Sequence, residues 1–164
     1  QPVVTYRRQH VSSDQESTKG TIVTGVIGDD VHVIGIRLME YALRQNGFTV
    51  VSLGPLAQKK EFIDAAIESA ADALFISSLN GHAELHIPGL RDECIEAGIG
   101  DILIYAGGQL TIRRPDWEQV RKRFVEELKL DRVYPPDVNP DTPIRDLEAD
   151  IRSRRATKSP KGTA

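Results

Sequence analysis

A chain of 164 residues is long enough for one domain with its own core, and too short for a barrel enzyme of about 250 residues plus a second domain. With 40% hydrophobic and 27% charged residues, no apolar run near the roughly 18 residues of a membrane span, no signal-peptide pattern and a single cysteine, Cys94, the composition excludes a membrane protein, an internal disulfide and a thiolate zinc cluster, and a cytoplasmic location is expected. The net charge of −3 conceals an acidic body, 13 basic against 22 acidic residues over 21–150, which argues against nucleic acid as the main partner.

A chain that opens on Gln1 rather than Met is expected to lack its first residues. Residues 1–20 are polar, without apolar periodicity, and read as a disordered leader. From Thr21 onward short apolar runs alternate with helix-period segments. The runs are 21–27, 48–53, 72–79, 101–106 and a weaker 131–134. Apolar on both faces and bounded, they suit strands buried within a parallel sheet.

Between them, Phe62, Ile63, Ala66, Ile67 and Ala70 make one helical stripe. Trp117, Val120, Phe124 and Leu128 make another, with Pro115 suited to a first helical turn. Ile144, Leu147 and Ile151 predict a short last helix, and Cys94 shares the apolar side of a helix with Leu90. Asn46-Gly47 and Ala97-Gly98 are helix stops. Strand starts about 25–30 residues apart predict five βα units, hence a flavodoxin-like, doubly wound α/β domain over residues 21–150. Beyond it, residues 151–164 carry five basic residues and no acid, and read as a basic, disordered tail.

In such folds ligands bind past the carboxyl ends of the strands, at the switch point between strands 1 and 3. The loops to inspect are therefore 28–35, 80–86 and 107–114. The first reads Gly28-Asp29-Asp30-Val31-His32-Val33-Ile34-Gly35. It has no G-x-G-x-x-G and no G-K-[ST], and its two carboxylates would repel a phosphate. A phospho-acceptor receiver would need an aspartate ending strand 3, where Ser77-Ser78-Leu79-Asn80 stands.

Asp30-x-His32 suits a different chemistry. A carboxylate two residues before a histidine can fix its tautomer and free the other ring nitrogen for a metal. One histidine in the loop fits a single axial ligand to a metal held in a macrocycle better than a multi-ligand zinc site. Gly35 would let a bulky group approach the backbone. The alternative is that His32 only caps a helix and pairs with Asp30. His82 and His86, four apart, could share a helix face, but Pro88-Gly89 follows at once and two ligands fall short of a structural zinc set.

Asp-x-His-x-x-Gly after the first strand resembles the motif of base-off/His-on cobalamin-binding proteins. The S-x-L element of that family matches Ser77-Ser78-Leu79, and its glycine pair matches Gly107-Gly108. The stretches TIVTGVIGDDVHVIG, ESAADALFISSLNGHAE, GLRDECIEAGIGDILIYAGG and DRVYPP resemble the small subunits of glutamate mutase (methylaspartate mutase) over roughly residues 21–150. The resemblance implies that His32 is the lower axial ligand to cobalt and Asp30 its hydrogen-bond partner, within a loop contact made by Asp29, Asp30, Val31, His32, Val33 and Gly35. It implies that Ser77, Ser78 and Leu79 line a channel for the displaced nucleotide tail. Gly107, Gly108, Gln109, Leu110 and Thr111 would flank that tail, with Gly108 too close to it to carry a side chain.

It further implies adenosylcobalamin as cofactor, radical interconversion of L-glutamate and threo-3-methylaspartate, and a separate large barrel subunit that supplies the substrate pocket. Gln109 and Arg113 depart from the family's Asn-x-x-x-Gly after the glycine pair, and Asn80 and His82 depart from its usual residues after S-x-L. A corrinoid methyl carrier is disfavoured because only 20 polar residues precede the first strand, where such carriers have a helical cap. A non-catalytic cobalamin-binding module remains the other alternative.

Overall fold

A computed structural model describes residues 18–112 and 116–158. The expectations for residues 1–17, Arg113, Arg114, Pro115 and residues 159–164 lie outside the described residues.

Five strands, β1 (Thr21–Val26), β2 (Thr49–Ser52), β3 (Ala73–Ser78), β4 (Leu103–Gly108) and β5 (Arg132–Tyr134), form one all-parallel sheet. Its order is β2-β1-β3-β4-β5, so the switch point falls between β1 and β3, as the doubly wound reading predicts. Among the described residues, six α-helices connect and flank the strands: α1 (Ile34–Gln45), α2 (Lys59–Ser69), α3 (Ala83–His86), α4 (Leu90–Glu96), α5 (Trp117–Arg121) and α6 (Asp141–Lys158). The Trp117–Leu128 stripe is not one α-helix; α5 gives way to a π-helical turn over Lys122–Glu127 that still buries Phe124.

Alternation along the strands divides the core in two. Val23, Leu74, Ile76, Ile104 and Ala106 point to one face, where they meet Phe62, Leu90, Cys94 and Phe124. Ile22, Phe75, Leu103 and Tyr105 point to the other, against Ile36, Met39 and Leu43 of α1 and Ile144, Leu147 and Ile151 of α6. Cys94 is fully buried, and burial pushes its thiol pKa up, which suits packing rather than reactivity.

The expected boundary at Asp150 is corrected. The last helix is not short, and α6 runs eight residues past that point to Lys158. Ile151 is buried, Arg154 donates to the Asp72 carbonyl at 2.8 Å and pairs with Asp101 at 3.1 Å, and Lys158 also pairs with Asp101. The basic composition of 151–158 therefore matches acids at the amino-terminal ends of β3 and β4 instead of facing solvent alone. No helix among the described residues is long and apolar enough to cross a membrane.

Candidate cofactor site at the carboxyl edge of the sheet

Strand register brings Val26, Ser77, Gly107 and Tyr134 into one row across β1, β3, β4 and β5. Val26 and Tyr134 fill their places in the row, while Ser77 and Gly107 offer almost no side chain. The result is a groove of about 240 Å³ at the carboxyl end of the sheet, walled by Gly35, Leu38, Ser77, Leu79, Gly107 and Pro136.

His32 stands in the β1–α1 loop beside this groove. Asp30 is 1% exposed, and one of its oxygens lies 2.6 Å from His32 Nδ1 and accepts the His32 backbone N–H at 3.0 Å. Its other oxygen crosses the switch point and accepts the N–H groups of Leu79 at 2.6 Å and Asn80 at 3.0 Å. Burial opposes the Asp30 charge most strongly, yet these hydrogen bonds from Leu79, His32 and Asn80 outweigh it and hold its pKa below the usual carboxylate value. An ionised Asp30 keeps the proton on Nδ1 and leaves Nε2 of a 58% exposed ring as the electron-pair donor. The pair is not a mere helix cap, because α1 begins at Ile34 with no side-chain capping bond.

These residues fit a corrin with a histidine axial ligand. Val31 and Ile34 are 62% and 76% exposed, an apolar rim around the imidazole that suits a bulky ligand. A Cβ built on Gly35 would meet nothing within 4 Å, so this glycine leaves space that the protein itself does not use.

Other expected site residues are redistributed. Ser77, Leu79, Gly107 and Gly108 reach the groove; Ser78 is fully buried, its Oγ 3.3 Å from the Asn80 side-chain oxygen. Gln109, Leu110 and Thr111 line a neighbouring pocket with Trp117 that shares Gly108 and Pro136 with the groove. Gly108 has φ +107°, and a Cβ there would sit 2.2 Å from the Ser78 carbonyl oxygen, so the fold itself demands glycine before any ligand does. Val33 packs against the α1 core.

Asp29 turns away from His32. It accepts the Asn80 side-chain N–H at 3.0 Å and lies within 3.0 Å of His82 Nδ1 and 3.3 Å of His86 Nε2. The Asn80 and His82 hydrogen bonds hold its carboxyl down at about 2. The first loop thus meets two histidines that are distant from it in sequence. Asn80, which joins both aspartates, and Pro135 and Pro136, which close the groove, escaped the motif reading; the Pro-Pro pair directly after β5 was the one local signal for the latter.

The family model described as B12 binding domain matches residues 20–125, so the chain carries a B12-binding domain. The glutamate mutase sigma subunit of Clostridium tetani is 44% identical over 133 residues, covering 81% of this chain and 96% of that one, and the Clostridium cochlearium sigma subunit matches to the same extent. Among solved structures, the methanol:cobalamin methyltransferase complex MtaBC from Methanosarcina barkeri is 26% identical with a TM-score of 0.63, covering 84% of this chain and 50% of that one. The chain belongs to the glutamate mutase sigma subunit family.

Proposed function

We propose that this chain is the cobalamin-binding subunit of an adenosylcobalamin-dependent glutamate mutase, working with a separate large barrel subunit that supplies the substrate pocket. The observation that carries the reading is the Asp30–His32 pair at 2.6 Å, with Nε2 outward beside a groove at the switch point. When bound, the cofactor supplies a cobalt–carbon bond whose homolysis begins hydrogen abstraction from L-glutamate on the way to threo-3-methylaspartate.

The chain's own residues hold and orient. His32 would hold the cobalt through Nε2, and Asp30 would fix the ring by keeping Nδ1 protonated. The groove between Leu38, Ser77 and Gly107 would receive the nucleotide tail of the cofactor. The exposed apolar side chains of Val31 and Ile34 would pack against the corrin and help exclude water. Nothing in the described loop around His32 supplies cations for the substrate carboxylates, and a radical needs an enclosed site, so the substrate-binding groups belong to the large subunit.

The test reads absorption spectra of the chain with cobalamin, wild type against His32→Ala. Loss of the histidine-coordinated, base-off spectrum is expected; an unchanged spectrum and affinity would overturn the assignment. The chain with adenosylcobalamin, freed of large subunit, is expected to be silent in a glutamate isomerisation assay, and to gain activity when the large subunit is added. Methyl transfer in place of isomerisation would favour a methyl-carrier role, the reading suggested by the similarity to the methyltransferase complex.

A further inference from the structure

The side chains of Asp29, His82 and His86 converge next to the cofactor site without entering it. Each offers one ligand atom, and the three atoms lie within 4.8 Å of one another. His82 Nδ1 and His86 Nε2 lie 3.1 and 3.3 Å from the same oxygen of the Asp29 carboxylate. Metal–ligand bonds of about 2.0–2.1 Å arranged tetrahedrally set neighbouring ligand atoms about 3.3–3.4 Å apart, so the carboxylate–imidazole spacings already match edges of such a polyhedron. We propose that Asp29, His82 and His86 form a second metal site, for a late first-row divalent cation of the Zn²⁺ class, separate from the ligand His32.

The surrounding chain is built to hold the cluster. Ala83 and Ile87 are 0% and 1% exposed and anchor the single turn α3 in the core, which turns His82 and His86, four apart, to one side. Gly28 has φ +78°, and a Cβ there would lie 2.2 Å from the His86 ring, so this glycine makes room for the imidazole to pack on the β1–α1 loop. Asn80 donates to the Asp29 carboxylate at 3.0 Å, the orienting contact that metal-binding carboxylates commonly have.

The donor set selects the cation. Two imidazoles and one carboxylate favour Zn²⁺, Co²⁺, Ni²⁺ or Cu²⁺ over Ca²⁺ and Mg²⁺, which prefer oxygen ligands. Three protein ligands leave a fourth position for water or a group from a partner. The cation would clasp the β1–α1 loop to α3, joining residues 53 apart in the chain. The inference does not rest on the mutase reading, since it uses neither His32 nor the groove.

The experiment uses the full chain, stripped with chelator and free of cobalamin, titrated with Zn²⁺ by calorimetry and with Co²⁺ by visible absorption. Wild type and His32→Gln are expected to bind one Zn²⁺ per chain and to give the intense bands of four-coordinate Co²⁺. His82→Gln and His86→Gln are each expected to weaken binding by at least the roughly 10- to 100-fold that loss of an outer-shell partner alone costs. Both side chains are partly exposed, and circular dichroism of each variant checks that the fold is kept. Any one of three results overturns the site: wild type that takes up no Zn²⁺ at millimolar concentration, undiminished binding in the His82→Gln/His86→Gln double variant, or binding that His32→Gln abolishes.

Discussion

Gly108 and Ser78 pair across β3 and β4, and a Cβ on Gly108 would lie 2.2 Å from the Ser78 carbonyl oxygen. The neighbouring glycine differs: a Cβ on Gly107 would meet Phe75 and Tyr134 at 3.7–3.8 Å, an ordinary contact. The two members of the motif pair therefore serve different ends. Gly108 is required by the backbone, and Gly107 keeps the groove open.

Substitutions separate these roles. Gly108→Ala is expected to destabilise the chain by at least about 1–3 kcal/mol, the cost of a strained positive φ before the clash is counted. Gly107→Leu is expected to fold and to lose cobalamin. Urea denaturation and cobalamin titration of both variants check this; a Gly108→Ala chain as stable as wild type would contradict the geometry.

Asp30→Asn removes the charge that holds the His32 tautomer, while keeping a side chain of the same shape. Cobalamin affinity is expected to fall roughly 10- to 100-fold, with a smaller share of histidine-coordinated cofactor at saturation. Spectral titration measures both quantities, and wild-type values would remove Asp30 from this role.

At Gly35 the two effects run in opposite directions. The residue lies in the first turn of α1 with open space around it, so Gly35→Ala should raise the stability of the cofactor-free chain by up to about 1 kcal/mol through helix propensity. The added methyl would occupy space assigned to cobalamin and weaken binding. Thermal denaturation without cofactor and a binding titration of the same variant report the two signs.

Ile151 tests the extension of α6. It is buried beneath the sheet, and Ile151→Ala is expected to cost about 2–5 kcal/mol, the range for emptying an aliphatic core site. A disordered tail beginning at this residue would give a change near zero. Denaturation midpoints decide between them.

Asp150 makes stability depend on pH. Burial opposes its charge most, but hydrogen bonds from Arg132 and Tyr105 outweigh burial and lower its pKa in the folded chain. The stabilisation is complete above the unfolded value of about 3.9 and is lost as pH falls from there through the folded value. Asp150→Asn should reduce stability at pH 7 and flatten its decline below about pH 4. Denaturation of both chains from pH 7 to pH 3 measures the difference, and parallel curves would refute it.

The strands and the Asp30–His32 pair were legible in the sequence because both depend on local spacing. A strand buried on both faces must be apolar along its length, and residues two apart in a loop meet whatever the rest of the chain does. The amphipathic stripe of α2 was legible for the same reason, whereas the π-helical turn after α5 left no mark on the apolar spacing. The groove, the Asp29 cluster and the end of α6 needed the tertiary structure. Ser77 and Gly107 become a cavity only when register sets them side by side between Val26 and Tyr134. Asp29 meets His82 only because β1 and β3 are neighbours in the sheet, and Arg154 is held by the Asp72 carbonyl and by Asp101, 53 residues away, at the amino-terminal ends of β3 and β4. Contacts between distant segments are decided by strand order and register, which short-range periodicity does not encode.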